Sequence, residues 1–225
     1  MRQFSITDIH GHLKTFEALL QRLDFSVHDQ LFLLGDFIDR GPDSKGVIDY
    51  VEELRATGHQ VHCLRGNHEQ MALDAVYGND SWRMWLNNGG KEACSSFGTH
   101  GEWFVPEPYR QWMDELPYHL STQGYLFVHA GLDTRVDDPL ADTHSLIWSR
   151  WWYEPQDKEW LDGRILVHGH TPVSRAEIEQ SILDLESVPV INIDNGCFAP
   201  ASRGMHHLCA LELKTHALTF QENIG

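Results

Sequence analysis

Five polar clusters stand directly after short apolar runs in this chain: Asp8-Ile9-His10-Gly11-His12, Gly35-Asp36-Phe37-Ile38-Asp39-Arg40-Gly41, Arg65-Gly66-Asn67-His68-Glu69, His129-Ala130-Gly131 and His168-Gly169-His170-Thr171. Their carboxylates, imidazoles and single amide include no thiolate. Such a donor set suits manganese, iron or zinc better than soft metals, and better than magnesium or calcium, which prefer oxygen alone. Asp8 and His10 lie two apart on a segment leaving a strand, so both side chains can face one ion while Ile9 turns to the core. Asp36 has two carboxylate oxygens with which to bridge a pair of ions. Asn67, His129 and His170 complete the second position, giving six donors for two metals, with manganese the first choice.

Two ions ~3.5–4 Å apart lower the pKa of a bridging water and clamp the attacking and leaving oxygens of an in-line displacement at phosphorus. The expected nucleophile is therefore a metal-bridging hydroxide, with no covalent intermediate. Charge on the phosphoryl oxygens calls for fixed cationic donors, and Arg40 and Arg150 are the candidates. His68 adjoins the ligand Asn67 but is not needed for coordination. It is free to protonate the leaving alkoxide, with Asp39 orienting its ring.

Each residue also has a plainer reading. A lone Asp-x-His pair is more often a surface or capping feature, and Asp39 could cap a turn as the partner of Arg40. The five clusters together, in this order, favour the chemical reading, because buried carboxylates and imidazoles without partners are costly. His12 and His168 are read as hydrogen-bonded or solvated imidazoles and not as ligands. Trp148, Trp151 and Trp152 are read first as core aromatics and second as the lining of a phosphopeptide cleft.

The elements that must position these residues show as runs of Val, Ile, Leu and Phe at 4–6, 31–34, 61–64, 125–128 and 165–167, which read as buried strands. Leu13, Phe16, Leu19, Leu20 and Leu23 recur at helical spacing, as do Val47, Ile48, Val51 and Leu54. Alternating strand and helix implies βαβ units, whose sites form at the carboxyl ends of the strands. The runs 190–193, 208–213 and 218–222, with little helix between them, predict a second, partly antiparallel sheet. The stretch 78–117, containing Trp82, Trp85, Asn88-Gly89-Gly90 and Trp103, reads as a long irregular insertion. Residues 1–225 are expected to form a single domain.

The composition, 41% hydrophobic and 22% charged, is that of a globular protein, with no apolar stretch near the ~20 residues of a membrane span. Phe4-Ser5-Ile6 leads straight into the first cluster without an apolar signal segment, which predicts a cytoplasmic location. Cys63, Cys94, Cys197 and Cys209 have no C-x-x-C spacing and are expected to be buried thiols. A formal net charge of −16 repels nucleic acid, so a phosphorylated substrate needs local cations.

The order Asp-x-His-Gly, Gly-Asp-x-x-Asp-Arg-Gly, Gly-Asn-His-Glu, His-Ala-Gly and Gly-His-Thr resembles the PPP-type metallophosphatases of the calcineurin-like phosphoesterase superfamily over Asp8 to Thr171. Arg65 to Met71, Trp85 to Gly90, Ile147 to Arg150 and Ile193-Asp194-Asn195-Gly196 resemble the small bacterial and phage serine/threonine protein phosphatases in particular. The resemblance implies an α/β fold with a central β-sandwich flanked by helices. It also implies Asp8, His10 and Asp36 around one ion, Asp36, Asn67, His129 and His170 around the other, Asp39 and His68 as the acid pair, and Arg40 and Arg150 as phosphate clamps. Thr7 stands where the family usually has Gly, and Asn195 where Thr is commoner; both departures bear on backbone fit more than on chemistry.

The expected activity is hydrolysis of a phosphorylated protein or peptide. One rival is symmetrical hydrolysis of a dinucleoside tetraphosphate, whose enzymes typically lack the acid of Asp39 and carry Asp where this chain has Glu69. The other is a non-catalytic binding protein on the same scaffold. Neither a nucleic-acid nor a membrane partner is expected, and the sequence leaves the oligomeric state open.

Overall fold

The computed structural model describes residues 1–99, 104–150 and 155–225. Its strands are β1 (Gln3–Ile6), β2 (Gln30–Leu33), β3 (Gln60–Cys63), β4 (His119–Thr122), β5 (Tyr125–Val128), β6 (Ile165–His168), β7 (Val190–Asn192), β8 (His207–Glu212) and β9 (Leu218–Glu222). The α-helices are α1 (Leu13–Arg22), α2 (Ser44–Ala56), α3 (Asn67–Asp74), α4 (Asn79–Trp85), α5 (Lys91–Ser96), α6 (Glu107–Asp114), α7 (Thr143–Trp148), α8 (Pro155–Leu161) and α9 (Arg175–Leu183). None of the described helices is long and apolar enough to cross a membrane.

Two mixed sheets result, in the orders β3-β2-β1-β8-β9 and β4-β5-β6-β7. The first three strands pair in parallel through crossovers that carry α1 and α2, as the alternating periodicities require. α1 buries Phe16, Leu19 and Leu20 on one stripe, and α2 starts where Asp43 accepts the Gly46 N–H at 2.8 Å. The sheets face each other across a layer containing Phe32, Leu34, Phe127, Val167, Ile191 and Leu211. At its centre the rings of Phe32 and Phe127 stack at 4.7 Å, 11° from parallel. The four cysteines are buried free thiols.

Two sequence expectations are corrected. The last three strands do not form a sheet of their own: β7 joins β6 in parallel, whereas β8 extends the first sheet antiparallel to β1 and β9 pairs antiparallel with β8 at its edge. Periodicity gives strand existence but not partners, and the 14 residues between β7 and β8 are long enough to cross from one sheet to the other. The stretch read as irregular is largely helical where it is described, with α4, a wide turn at Leu86–Gly90, α5 and α6. These helices are too short, and too often interrupted by Gly, Asn and Pro, for a 3.6-residue period to show. Trp103 lies outside the described residues.

Phe127→Ala is expected to lower unfolding stability by about 3–5 kcal/mol, because both sheets close on that ring. Urea unfolding would read this as a lower midpoint at unchanged slope. A loss under about 1 kcal/mol would mean that the sheets do not rely on this contact.

Candidate metal and phosphate site

All five clusters leave the carboxyl ends of strands at one edge of the sandwich: Asp8 and His10 after β1, Asp36 to Arg40 after β2, Asn67 and His68 at the start of α3 after β3, His129 after β5, and His170 after β6. Asp8, His10, Asp36, Asp39, Arg40 and His170 all have φ between 48° and 72°. That region costs an L-residue about 1 kcal/mol or more, and Asp and His are among the side chains that tolerate it best. Tertiary contacts hold the strain in place. His10 N–H donates to Asp36 O and Gly11 N–H to Phe37 O, both at 2.8 Å, and within the other sheet Gly169 N–H donates to His129 O at 2.8 Å. Gly35, at φ 92°, permits the approach of two strands: a Cβ there would sit 2.6 Å from Gly66 N.

Beneath the loops lies the carboxylate of Glu69, fully buried. It accepts the backbone N–H groups of Asp36 at 2.9 Å, Phe37 at 2.8 Å and Gly66 at 2.9 Å. Burial raises its pKa, and the N–H donors oppose that rise. The sequence reading used Glu69 only to tell two substrate classes apart and missed this role. An acidic residue at the third position of a helix that follows a ligand loop was the available signal.

The candidate ligands converge. Donor atoms of His10, Asp36 and His68 lie within 4.8 Å of one another, as do those of Asp36, His129 and His170. Asp8 Oδ1 is 3.8 Å from His10 Nε2, which is 3.5 Å from Asp36 Oδ2. His10 Nδ1 donates to Ile38 O at 2.9 Å and His129 Nδ1 to Leu34 O at 2.8 Å, so each Nε2 turns a lone pair inward. The lone pair of His129 faces Asn67 Oδ1 at 2.9 Å and Asp36 Oδ1 at 3.5 Å, and His170 Nε2 is buried without a hydrogen-bond partner.

Convergent acceptors of this kind fit divalent cations. Burial first, and repulsion from neighbouring carboxylates second, raise Asp36, Asp39 and Asp194 well above the ordinary carboxylate range. Burial also pushes His10 well below the ordinary imidazole value and His170 down to about 2, so both are neutral and ready to ligate. One cation already stands at the first position: the Arg40 guanidinium, lying 4.0 Å over the Phe198 ring, donates to His10 Nε2 at 2.6 Å.

His68 Nδ1 meets Asp39 Oδ2 at 2.6 Å, and Trp85 Nε1 donates to both Asp39 oxygens at 3.0 and 3.1 Å. Burial disfavours both the imidazolium and the carboxylate, so the two groups hold a proton between them. Trp85, itself fully buried, is a second residue that the sequence reading missed. Its indole N–H keeps Asp39 from acting as a mere turn cap. The following turn also touches the site, since Arg40 N–H donates to Gly89 O at 3.3 Å.

A cavity of about 100 Å³ opens over Asp36, Asn67, His68 and His170, with Arg40 and Arg150 both on its wall. Trp148 lines it, packs edge-on to His170 at 6.4 Å and, partly buried, also packs against the core. Trp151 and Trp152 lie outside the described residues. His168 is half-buried and its Nδ1 donates to Gly169 O at 3.0 Å. His12 differs from expectation: it is 8% exposed and neither ring nitrogen has a hydrogen-bond partner. Nothing in the structure explains that cost.

Residues 1–192 match the family model described as calcineurin-like phosphoesterase. Among curated proteins, serine/threonine-protein phosphatase 1 of Salmonella typhimurium is 32% identical over 150 residues, 64% of this chain and 67% of that protein. The symmetrical bis(5'-nucleosyl)-tetraphosphatase of Pectobacterium carotovorum is 32% identical over 148 residues, 63% of this chain but only 47% of that enzyme. Among solved structures, a serine/threonine phosphatase from Saccharomyces cerevisiae superposes with a TM-score of 0.61 at 16% identity, covering 100% of this chain and 81% of that one. The last likeness shows the fold alone.

Glu69→Ala leaves three buried N–H groups without an acceptor, each worth about 1–3 kcal/mol, and is expected to cost at least about 3 kcal/mol in denaturant unfolding. Retention of wild-type stability would remove Glu69 from its place under the loops. His12 gives a pH test, because burial, with His206 adding to it, lowers its pKa to about 4. Between pH ~6.5 and 4 the unfolded chain binds a proton there that the folded chain refuses, so the stability this neutral ring contributes is complete above pH ~6.5 and lost on acidification. Wild type should therefore lose up to about 1.4 kcal/mol per pH unit relative to His12→Asn across that window. Parallel profiles for the two proteins would contradict the assignment.

Proposed function

The chain belongs to the calcineurin-like phosphoesterases, hydrolases of phosphoester bonds, and we propose that its substrate is a phosphoserine or phosphothreonine protein, cleaved in the cytoplasm with two manganese ions. The observation that carries this reading is the buried His68–Asp39 pair, joined at 2.6 Å. A serine or threonine alkoxide is a strongly basic leaving group and departs only if a proton reaches it. A nucleoside diphosphate, the leaving group in symmetrical cleavage of a dinucleoside tetraphosphate, departs readily as an anion. A proton donor built into a dry pocket is therefore of most use against an alkyl phosphate.

In this reading Asp8, His10 and Asp36 hold one ion, and Asp36, Asn67, His129 and His170 hold the other. Bound there, the pair supplies an activated water and neutralises charge on the phosphoryl group. Arg40 and Arg150, on the wall of the cavity, bind the non-bridging phosphate oxygens. With His10 Nε2 given to an ion, Arg40 would be free to turn on the Phe198 ring, over which it lies at 4.0 Å, toward the phosphate. His68 passes its proton from Nε2 to the leaving oxygen. The proton shared with Asp39 then stays on Nδ1, so the pair ends as a neutral imidazole and a carboxylate, and Trp85 holds that carboxylate still.

The ground on the two sides of this cavity is unlike. Beyond Arg150 lies a cavity of about 400 Å³ with Ala130, Val173, Val188 and Val190 in its walls. Beyond Arg40 a polar groove of about 510 Å³ carries Asn87, Asn88, Lys91 and Glu92. A peptide presents different side chains to either side of its phosphate. A dinucleoside tetraphosphate presents the same nucleotide twice, so the asymmetry supports the peptide.

Manganese-loaded His68→Asn is expected to lose ~10²–10⁴-fold in kcat on a phosphoserine peptide. It should retain wild-type metal content and most activity on an aryl phosphate, whose leaving group needs little protonation. An equal loss on both substrates would remove His68 as the proton donor. In a side-by-side assay, wild type should prefer the phosphoserine peptide to diadenosine tetraphosphate, with chelator abolishing both activities. The reverse preference would overturn the protein-substrate reading and leave the phosphoesterase intact.

A further inference from the structure

Thr7 is the residue at which this chain departs from the Gly usual before the first metal-ligand Asp, and it is 3% exposed. Its hydroxyl donates to Asp8 Oδ2 at 2.6 Å, within the range of a charge-assisted O–H···O⁻ bond. The same oxygen accepts the backbone N–H of His170 at 3.0 Å. With Oδ2 held by two donors, Oδ1 is the oxygen turned inward, 3.8 Å from His10 Nε2. The Thr7 side chain also fills the space over Gly169, where a Cβ would meet Thr7 Oγ1 at 2.4 Å and Thr7 Cγ2 at 2.5 Å.

We propose that Thr7 is a positioning residue of the metal centre: its hydroxyl fixes the Asp8 carboxylate so that only Oδ1 is offered to the first ion. The inference rests on the two-ion reading above. A carboxylate free to rotate offers either oxygen, or both, and loses rotational freedom when it binds. The hydrogen bond from Thr7 sets that orientation before the metal arrives. Because Oδ2 is shared with the His170 N–H, the same contact ties the ligand loop after β1, in one sheet, to the loop after β6 in the other. Removing an outer partner of this sort typically weakens metal binding 10–100-fold.

The test is manganese titration by calorimetry, with no substrate present, on wild type, Thr7→Val and Thr7→Ser. Val keeps the shape of Thr without its hydroxyl, and Ser keeps the hydroxyl without the methyl. Wild type should bind two ions per chain. Thr7→Val should bind one of them ~10–100-fold more weakly, and Thr7→Ser should stay within about threefold of wild type. Wild-type affinity in Thr7→Val, or equal weakening in Val and Ser, would overturn the role of the hydroxyl. Should Thr7→Val fail to fold, Thr7→Ala against Thr7→Ser reads the same contrast. A wild type that binds no manganese would instead remove the two-ion reading, and this inference with it.

Discussion

The Glu69 carboxylate, shut inside the protein, accepts N–H groups from both the loop after β2 and the loop after β3. Bare backbone donors at that depth would each be costly, and a carboxylate without donors would be costlier still. The two costs offset only if the loops hold one shape. That shape sets Asp36 Oδ1 to accept the His68 N–H at 3.0 Å and Asp36 Oδ2 to face His10. Asp36, which among the described residues belongs to both candidate donor groups, is thus oriented from beneath by an acid that belongs to neither.

The site stores unfavourable energy in three forms: left-handed backbone at six of its residues, carboxylates pressed together out of water, and imidazoles with inward lone pairs. Each becomes tolerable around a cation. Arg40 already plays that part against His10, and divalent ions fit the same geometry more fully. The sandwich beneath supplies the stiffness. Phe32 and Phe127 stack between sheets that contribute ligands from both sides, so a shift of one sheet against the other would separate Asp36 from His129.

Around that centre the chain builds a layer that acts only through other residues. Trp85 bonds Asp39, Asp39 bonds His68, and Thr7 bonds Asp8. In a dry site these hydrogen bonds decide which nitrogen carries a proton and which oxygen faces inward, and both choices govern proton transfer and coordination. The turn at Leu86–Gly90 shares in this, since its Gly89 carbonyl receives the Arg40 N–H.

The sequence by itself picked out the candidate donors and the strands that deliver them. Asp8, His10, Asp36, Asn67, His129 and His170 stand out because metal-ligating residue types recur after apolar runs, and the helical stripes of α1 and α2 show because they are long enough to repeat. Only the tertiary structure decided which sheet β7, β8 and β9 join, since apolar alternation is the same whichever neighbour a strand pairs with. The supports were hidden for a similar reason. Glu69, Trp85 and Thr7 each look ordinary in their own segment, and their roles come from contacts 33, 46 and 163 positions away along the chain: Glu69 with Asp36, Trp85 with Asp39, and Thr7, through Asp8, with His170. A polar side chain's role depends on which donor or acceptor folding places against it.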